Sequence, residues 1–189
     1  MSDAPTPRAA RSRSAILRAA VDLCAEHGFA AVTMEAIAAR AEVGKPTVYR
    51  WWRSKSAVLL DALLEIWAAP VVPLPASGDG DVVADLRRWL YGFVDTFNDP
   101  TLRPVVIGVL GAAQLDPELK ASIRERVHTP LRADNQTRIV AAQRAGQLPD
   151  VDPELLEDSL VAPLWYRLLV SDEPIDRAYA DAVLAAALR

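Results

Sequence analysis

Twenty residues, TMEAIAARAEVGKPTVYRWW from Thr33 to Trp52, limit what this chain can become more than any other stretch. Met34, Ile37 and Ala38 fall at the i, i+3, i+4 spacing that lays one buried stripe along a short helix. Thr33 stands at the N-cap position, where its hydroxyl can accept from a free N–H of the first turn. Ala41 to Gly44 break the pattern, and Lys45 to Trp52 resume it with Val48 inward. Lys45, Pro46, Thr47, Tyr49 and Arg50 are left on the outer face. Two short helices joined so tightly cross steeply, and the second can lie in a DNA major groove with its first side chains on base edges. An ordinary helical hairpin with a solvated face fits these twenty residues equally well.

The flanks tip the balance. RSAILRAAVDLCAEHGFAAVTMEAIAARA followed by VGKPTVYRWWRSKSAVLLDAL resembles the DNA-binding domain of the TetR family of bacterial transcriptional regulators. The agreement lies in Glu26-His27-Gly28-Phe29 closing a first helix, the Thr33 start, the Ile37-Ala38 core, Thr47-Val48-Tyr49 in the recognition helix, and Ser54-Lys55 opening a fourth helix. A weaker likeness, carried by RPVVIGVLGAAQLDPEL and PLWYRLL, extends to the C-terminal domain of a TetR subgroup. Two residues depart from the family pattern: Glu42 replaces the common turn glycine, and Gly44 replaces the serine before Lys45. A left-handed Glu42 would cost roughly 1–2 kcal/mol. Gly44 costs only about a few tenths of a kcal/mol as an N-cap.

The resemblance implies an all-α fold with an N-terminal three-helix helix-turn-helix domain and a C-terminal helical ligand-binding and dimerisation domain. Residues 1–10 are expected to form a disordered arm, 11–56 the DNA-binding domain, 57–69 a connecting helix, 70–80 a Pro- and Gly-rich loop, and 81–189 the C-terminal domain. Thr33, Tyr49 and Lys55 are expected on phosphate, with Lys45, Pro46, Thr47 and Arg50 on groove edges. Trp51 is expected on the sugar-phosphate backbone or in the core, Trp52 in the core, and Arg11 and Arg13 in a basic arm reaching phosphate or the minor groove.

Charge supports a divided molecule. The net charge is −4, yet residues 1–60 hold nine Lys or Arg against five acids, while the remainder holds twelve against twenty. A phosphate-seeking end is thereby attached to an acidic body. Hydrophobic residues make up 51% and charged residues 24% of the 189, which supports a packed core. No apolar run approaches the ~18 residues of a membrane span. The N-terminus lacks the apolar stretch of a secretory signal. A single cysteine, Cys24, rules out an internal disulfide and fits a reducing cytoplasm. It is expected in the core of a first helix, Ser12 to His27, beside Ile16, Ala20 and Leu23.

The body is expected to hold helices from Asp81 to Asn98, Thr101 to Gln114, Asp116 to Gln143 with a kink or break at Pro130, Leu155 to Val170 interrupted at Pro163, and Pro174 to Leu188. Gly108 and Gly111 allow close helix approach or leave room for a ligand. LVAPLWYRLLV carries one charge in eleven residues, and the resemblance makes the last two helices a homodimer interface. A pocket for a small apolar or amphipathic ligand is expected among Trp89, Phe93, Phe97, Val106, Leu110, Gln114, His128, Trp165 and Tyr166.

With two histidines, one cysteine and no Gly-rich phosphate loop, the chain shows no catalytic constellation, metal cluster or cofactor site. The expected function is a ligand-responsive transcriptional regulator, a repressor binding a palindromic double-stranded operator as a homodimer. The alternative is a helical small-molecule-binding or interaction protein with weak or no specific DNA binding.

Overall fold

The computed structural model describes residues 7–67 and 80–189, among which there are ten α-helices and no strand. The chain divides into two compact units. One joins residues 1–66 to 100–121, and the other joins 67–99 to 122–189.

In the first unit α1 (Pro7–His27), α2 (Met34–Arg40), α3 (Lys45–Trp51) and α4 (Lys55–Trp67) are joined by α6 (Leu102–Ala113) and most of α7 (Pro117–Ile123). The first helix begins five residues before the expected Ser12, so residues 7–10 are helical rather than a disordered arm. Pro7 opens it, a position where proline loses no helical bond and brings the required φ. Residues 1–6 lie outside the described residues. Ile16, Ala20, Leu23 and Cys24 are buried as the apolar spacing predicts, and burial pushes the Cys24 thiol pKa up. Gly28 ends α1 at φ 77° and donates its N–H to the Cys24 carbonyl at 2.9 Å. A single 3-10 turn, Phe29–Ala31, leads into the Thr33 cap.

The placement of α6 differs from the expected boundary, which kept all of 81–189 in one domain. It packs on α1 and on the 3-10 turn. Gly108 explains how closely: a Cβ built there would collide with Cβ, Cγ and Cδ2 of Phe29. Close approach, rather than space for a ligand, is therefore what Gly108 provides.

The second unit holds α5 (Val82–Asn98), α8 (Thr129–Arg144), α9 (Pro153–Tyr166) and α10 (Arg177–Ala187). Aspartate side chains cap α5, α9 and α10: Asp81 accepts from Ala84 N, Asp152 from Glu154 N and Leu155 N, and Asp176 from Tyr179 N. α5 packs against α10 and α9, and α8 against α9. Polar side chains lace α5 to the final segment. Arg87 and Tyr91 both donate to Asp181 at 2.9 Å, and Asn98 donates to the Ile175 carbonyl at 2.6 Å.

Three expectations for the body need correction. The expected helix from Asp116 to Gln143 is divided by a π-helical turn, Arg124–His128, immediately before Pro130. Proline lacks an N–H and its ring crowds the carbonyl four residues back, and here the Thr129 N–H reaches back to Arg124 instead. Pro163 does not interrupt α9, which continues to Tyr166 and then widens into a second π turn, Arg167–Ser171. The last helix begins at Arg177 rather than Pro174, because Asp172 turns left-handed at φ 51° and Asp176 supplies the cap. The expected loop at 70–80 falls, apart from Gly80, outside the described residues.

Between α8 and α9 a carboxylate is buried. Glu157 accepts from Asn135 at 2.9 Å, and its second oxygen lies 3.8 Å from Arg132 Nε without a hydrogen bond. Desolvation raises the Glu157 pKa, opposed by the Asn135 bond and by Arg132.

These contacts bear on stability in two ways. Gly108→Ala should lower stability by about 1–3 kcal/mol in denaturant titration, the usual cost of overpacking, and the loss should be smaller in a Phe29→Ala background, which lacks the Cγ and Cδ2 that the added methyl meets. Equal loss with and without Phe29→Ala would show that the clash is absorbed elsewhere. For Glu157, a raised folded pKa means that stability is fullest below the ordinary carboxylate pKa and falls as pH rises through the raised value. Glu157→Gln should therefore raise the melting temperature at pH 7–8 and leave it nearly unchanged near pH 4. A variant less stable at both values would contradict the desolvation argument.

Candidate DNA-binding interface

Three short structures place the outward face of α3. Thr33, extended at φ −128°, accepts from Ala36 N at 3.1 Å and starts α2. Met34, Ile37 and Ala38 are buried, as is Val48 of α3. The turn between them closes with two bonds, Glu42 N–H to the Ala39 carbonyl at 3.1 Å and Val43 N–H to the Ala38 carbonyl at 3.0 Å. This is a Schellman closure, and its left-handed position is taken by Glu42 at φ 54°. Glu42 thus carries the strain expected of a left-handed side chain. Gly44 is the N-cap of α3 without a side-chain bond, its carbonyl accepting from Thr47 N at 2.8 Å.

On α3 the structure brings together Lys45, Pro46, Tyr49 and Arg50 as exposed residues, with Thr47 half-buried beside them. Tyr49 is 49% and Trp51 40% exposed. Trp51 lies with its ring 6.2 Å from Trp52 and under the Arg50 guanidinium at 5.7 Å. Trp52, 4% exposed, belongs to the core and donates its indole N–H to Asp61 at 2.9 Å.

Two expected contact residues are engaged within the head. Arg13 is a helical residue of α1 rather than part of a free arm. It donates to the same Asp61 oxygen at 3.1 Å, pairs with Glu65, and stacks 5.7 Å from the Trp52 ring. Lys55 donates to the carbonyls of Phe29 at 2.7 Å and Ala30 at 3.1 Å, with its ammonium 4.6 Å from the Phe29 ring. It thus ties α4 to the turn that precedes Thr33. Arg11 is exposed on α1.

Further contacts lie beyond what the sequence patterns indicate. Arg40 makes a two-pronged pair with Glu26, at 2.9 and 2.7 Å, which fixes α2 to the end of α1 and holds the Glu26 carboxyl below its usual pKa. Glu35, exposed in the first turn of α2, lies 3.5 Å from Lys45 Nζ. Its own backbone N–H first, and Lys45 second, lower its pKa, with a smaller contribution from the Tyr49 hydroxyl. An acid in a helix's first turn is the only signal of Glu35 that the sequence carries. Its link to α3 depends on the crossing of the two helices.

Residues 16–62 match the family of bacterial regulatory proteins, tetR family, and residues 77–187 match the Tetracyclin repressor-like, C-terminal domain. The chain belongs to the TetR family. The chain's relatives include the uncharacterized HTH-type transcriptional regulator YdeS of Bacillus subtilis, 35% identical over 92% of this chain and 86% of that protein. The solved TetR-family transcription regulator SCO0332 is 34% identical, with a TM-score of 0.73 over 94% of this chain and 96% of its own. A structure of SmeT in complex with triclosan is 25% identical, with a TM-score of 0.67 over 93% and 90% of the two chains. This TetR-family chain is a DNA-binding transcriptional regulator of a ligand-responsive family, with an all-α fold.

The nine residues expected to line a ligand pocket are drawn from both units. Trp89, Phe93, Phe97 and Trp165 make a continuous aromatic cluster in the second unit, with Trp89 edge-on to Phe93 at 5.3 Å and Phe97 against Trp165 at 4.6 Å. Val106, Leu110 and Gln114 belong to α6 and its end in the first unit, where Val106 is buried and the exposed Gln114 donates to the Leu110 carbonyl. His128 is exposed beside Arg132, and Tyr166 is 58% exposed. Neither lies in an aromatic core.

The geometry of the turn makes its own prediction. Glu42→Gly removes a left-handed side chain and a negative charge from the approach to DNA. Stability should rise by about 1 kcal/mol or slightly more in denaturant titration, and affinity for duplex DNA should increase. Unchanged stability would mean that the Glu42 side chain is compensated locally.

Proposed function

We propose that this TetR-family regulator is a cytoplasmic repressor that binds a palindromic operator as a homodimer and is released by a small apolar or amphipathic ligand. The observation that carries the reading is α3: a short helix held by the buried Val48, presenting Lys45, Pro46, Thr47, Tyr49 and Arg50 outward. Lys45 and Arg50 are suited to guanine edges, and Thr47 to a thymine methyl. Thr33 and Tyr49 contact phosphate. Lys55, with two N–H groups on carbonyls, offers its third to phosphate, and Arg11 adds charge from α1.

The partner of one subunit is a second copy. α9 and its π turn carry exposed Leu155, Tyr166, Leu169 and Val170 at helical spacing, an apolar stripe that water disfavours. Ala178, Ala185 and Ala186 are exposed on α10, and such small side chains permit close helix approach. A two-fold dimer would set the two α3 helices about 34–36 Å apart, one turn of DNA, and so require a palindrome.

The ligand site rests on the aromatic cluster of α5 and α9. Trp89 Nε1 is buried without an acceptor, a costly state for a donor. A ligand with an aromatic or aliphatic body and one acceptor atom would satisfy it. It would act by binding the DNA-incompetent state more tightly than the competent one.

Selection of bound duplexes from a random pool tests the DNA reading. The expected product is a two-fold symmetric sequence, and Arg50→Ala should relax one symmetric base position at a cost of about 1–3 kcal/mol. Recovery of unrelated duplexes with no shared sequence would instead favour a helical binding protein without an operator.

A further inference from the structure

Glu35 sets a carboxylate against the reading helix. It projects from the first turn of α2 to Lys45 Nζ at 3.5 Å, and Tyr49 follows one turn after Lys45 on α3. All three residues are exposed. The pair does little to hold the fold, since α2 and α3 are already joined by the buried Ile37, Ala38 and Val48 and exposed ion pairs contribute little. Yet it occupies the ammonium group expected to read DNA. A lysine that has a carboxylate partner gains less on meeting a phosphate than a free one. The carboxylate itself repels every phosphate within a Debye length, about 10 Å at 0.1 M salt.

We propose that Glu35 is a specificity-determining residue of the DNA interface. It holds Lys45 in an internal contact that only a correctly placed base or phosphate displaces, and so depresses binding to unrelated duplex more than binding to the operator. The inference rests on the DNA-binding reading of α3. Its mechanism is discrimination by a cost imposed on wrong partners. On an unrelated sequence Lys45 keeps its pair with Glu35, and the nearby negative charge opposes the backbone. On the operator a fixed acceptor for Lys45 replaces Glu35, while the remaining contacts of α3 hold the carboxylate in a solvated position. A solely structural role is also available to Glu35, because an acid in the first turn of a helix favours the helix. That role predicts a change in stability and none in the salt dependence of binding.

The test uses the full chain, the operator obtained by selection, and an unrelated duplex of equal length, titrated between 50 and 200 mM salt. Glu35→Gln should tighten binding to the unrelated duplex several-fold and change operator affinity less, reducing the ratio between them. The slope of log affinity against log salt on unrelated duplex should steepen by about 1.8, the contribution of one further phosphate contact from each subunit of the dimer. Lys45→Ala combined with Glu35→Gln should abolish that extra slope. An unchanged ratio and slope in Glu35→Gln would overturn the proposal, as would a slope change that persists without Lys45. Thermal melting of each variant separates these outcomes from misfolding, and a melt lowered with binding ratio unaltered would assign Glu35 to the helix alone. If the unaltered chain retained no selected duplex, the DNA reading itself would fail, a result distinct from any of these.

Discussion

Two helices of seven residues cannot sustain themselves in water, because so few hydrogen bonds do not offset the cost of starting a helix. In this head α2 and α3 exist because the chain reverses between them at Glu42, and because the two helices pack together with Ile37 and Val48 both fully buried. Burying one such side chain yields about 1.5–3 kcal/mol. A left-handed non-glycine residue costs about 1–2 kcal/mol. Packing therefore outweighs the turn strain, and a residue unsuited to the turn is tolerated there. Its position also leaves an exposed negative charge in the turn before α3, where a glycine would leave none.

The same head shows why a count of charges overstates what DNA meets. Of the cations that make the first 60 residues basic, Arg13 is committed to Asp61 and Glu65, Arg40 to Glu26, and Lys55 to two backbone carbonyls. These contacts orient helices against one another. Arg13 and Trp52 share one oxygen of Asp61, so α1, α4 and the end of α3 meet at a single carboxylate. The exposed cations of α3 then work from a rigid base. Long-range attraction still reflects the whole sum, whereas affinity at contact depends on which groups remain able to exchange partners.

Much of the head is legible in the sequence, and for identifiable reasons. Periodicity marks the buried faces of α1, α2 and α4, and the residue types at Thr33, Ser54, Asp81 and Asp152 mark side-chain caps. These signals act over three or four residues, the range at which helix geometry repeats. Arg13 with Asp61, and Lys55 with the Phe29 carbonyl, are separated by 48 and 26 residues. No periodicity carries information about such partners. The prolines mislead for a related reason. Pro130 reads as a kink or break and Pro163 as an interruption, but the backbone widens into a π turn ahead of Pro130 and stays α-helical through Pro163, and the sequence records neither option. The expected pocket residues are drawn from both units, because apolarity marks a buried face without saying what it is buried against.

The position of α6 shows the limit of dividing such a chain by its sequence. The family match from 77 to 187 is continuous, yet residues 100–121 fold with α1–α4. Gly108 touches Phe29, and the Phe29 carbonyl holds the Lys55 ammonium. Phe29 also begins the 3-10 turn that ends two residues before the Thr33 cap of α2. A helix from the C-terminal part of the sequence therefore bears on the backbone that starts the helix-turn-helix. Because there is no space for even one methyl group at that contact, α6 cannot shift against α1 without moving Phe29 or losing its packing. The carbonyls that fix Lys55 would move with it. The reading head is thus completed by residues that sequence comparison assigns to the other domain, through a glycine whose absent side chain makes the contact possible.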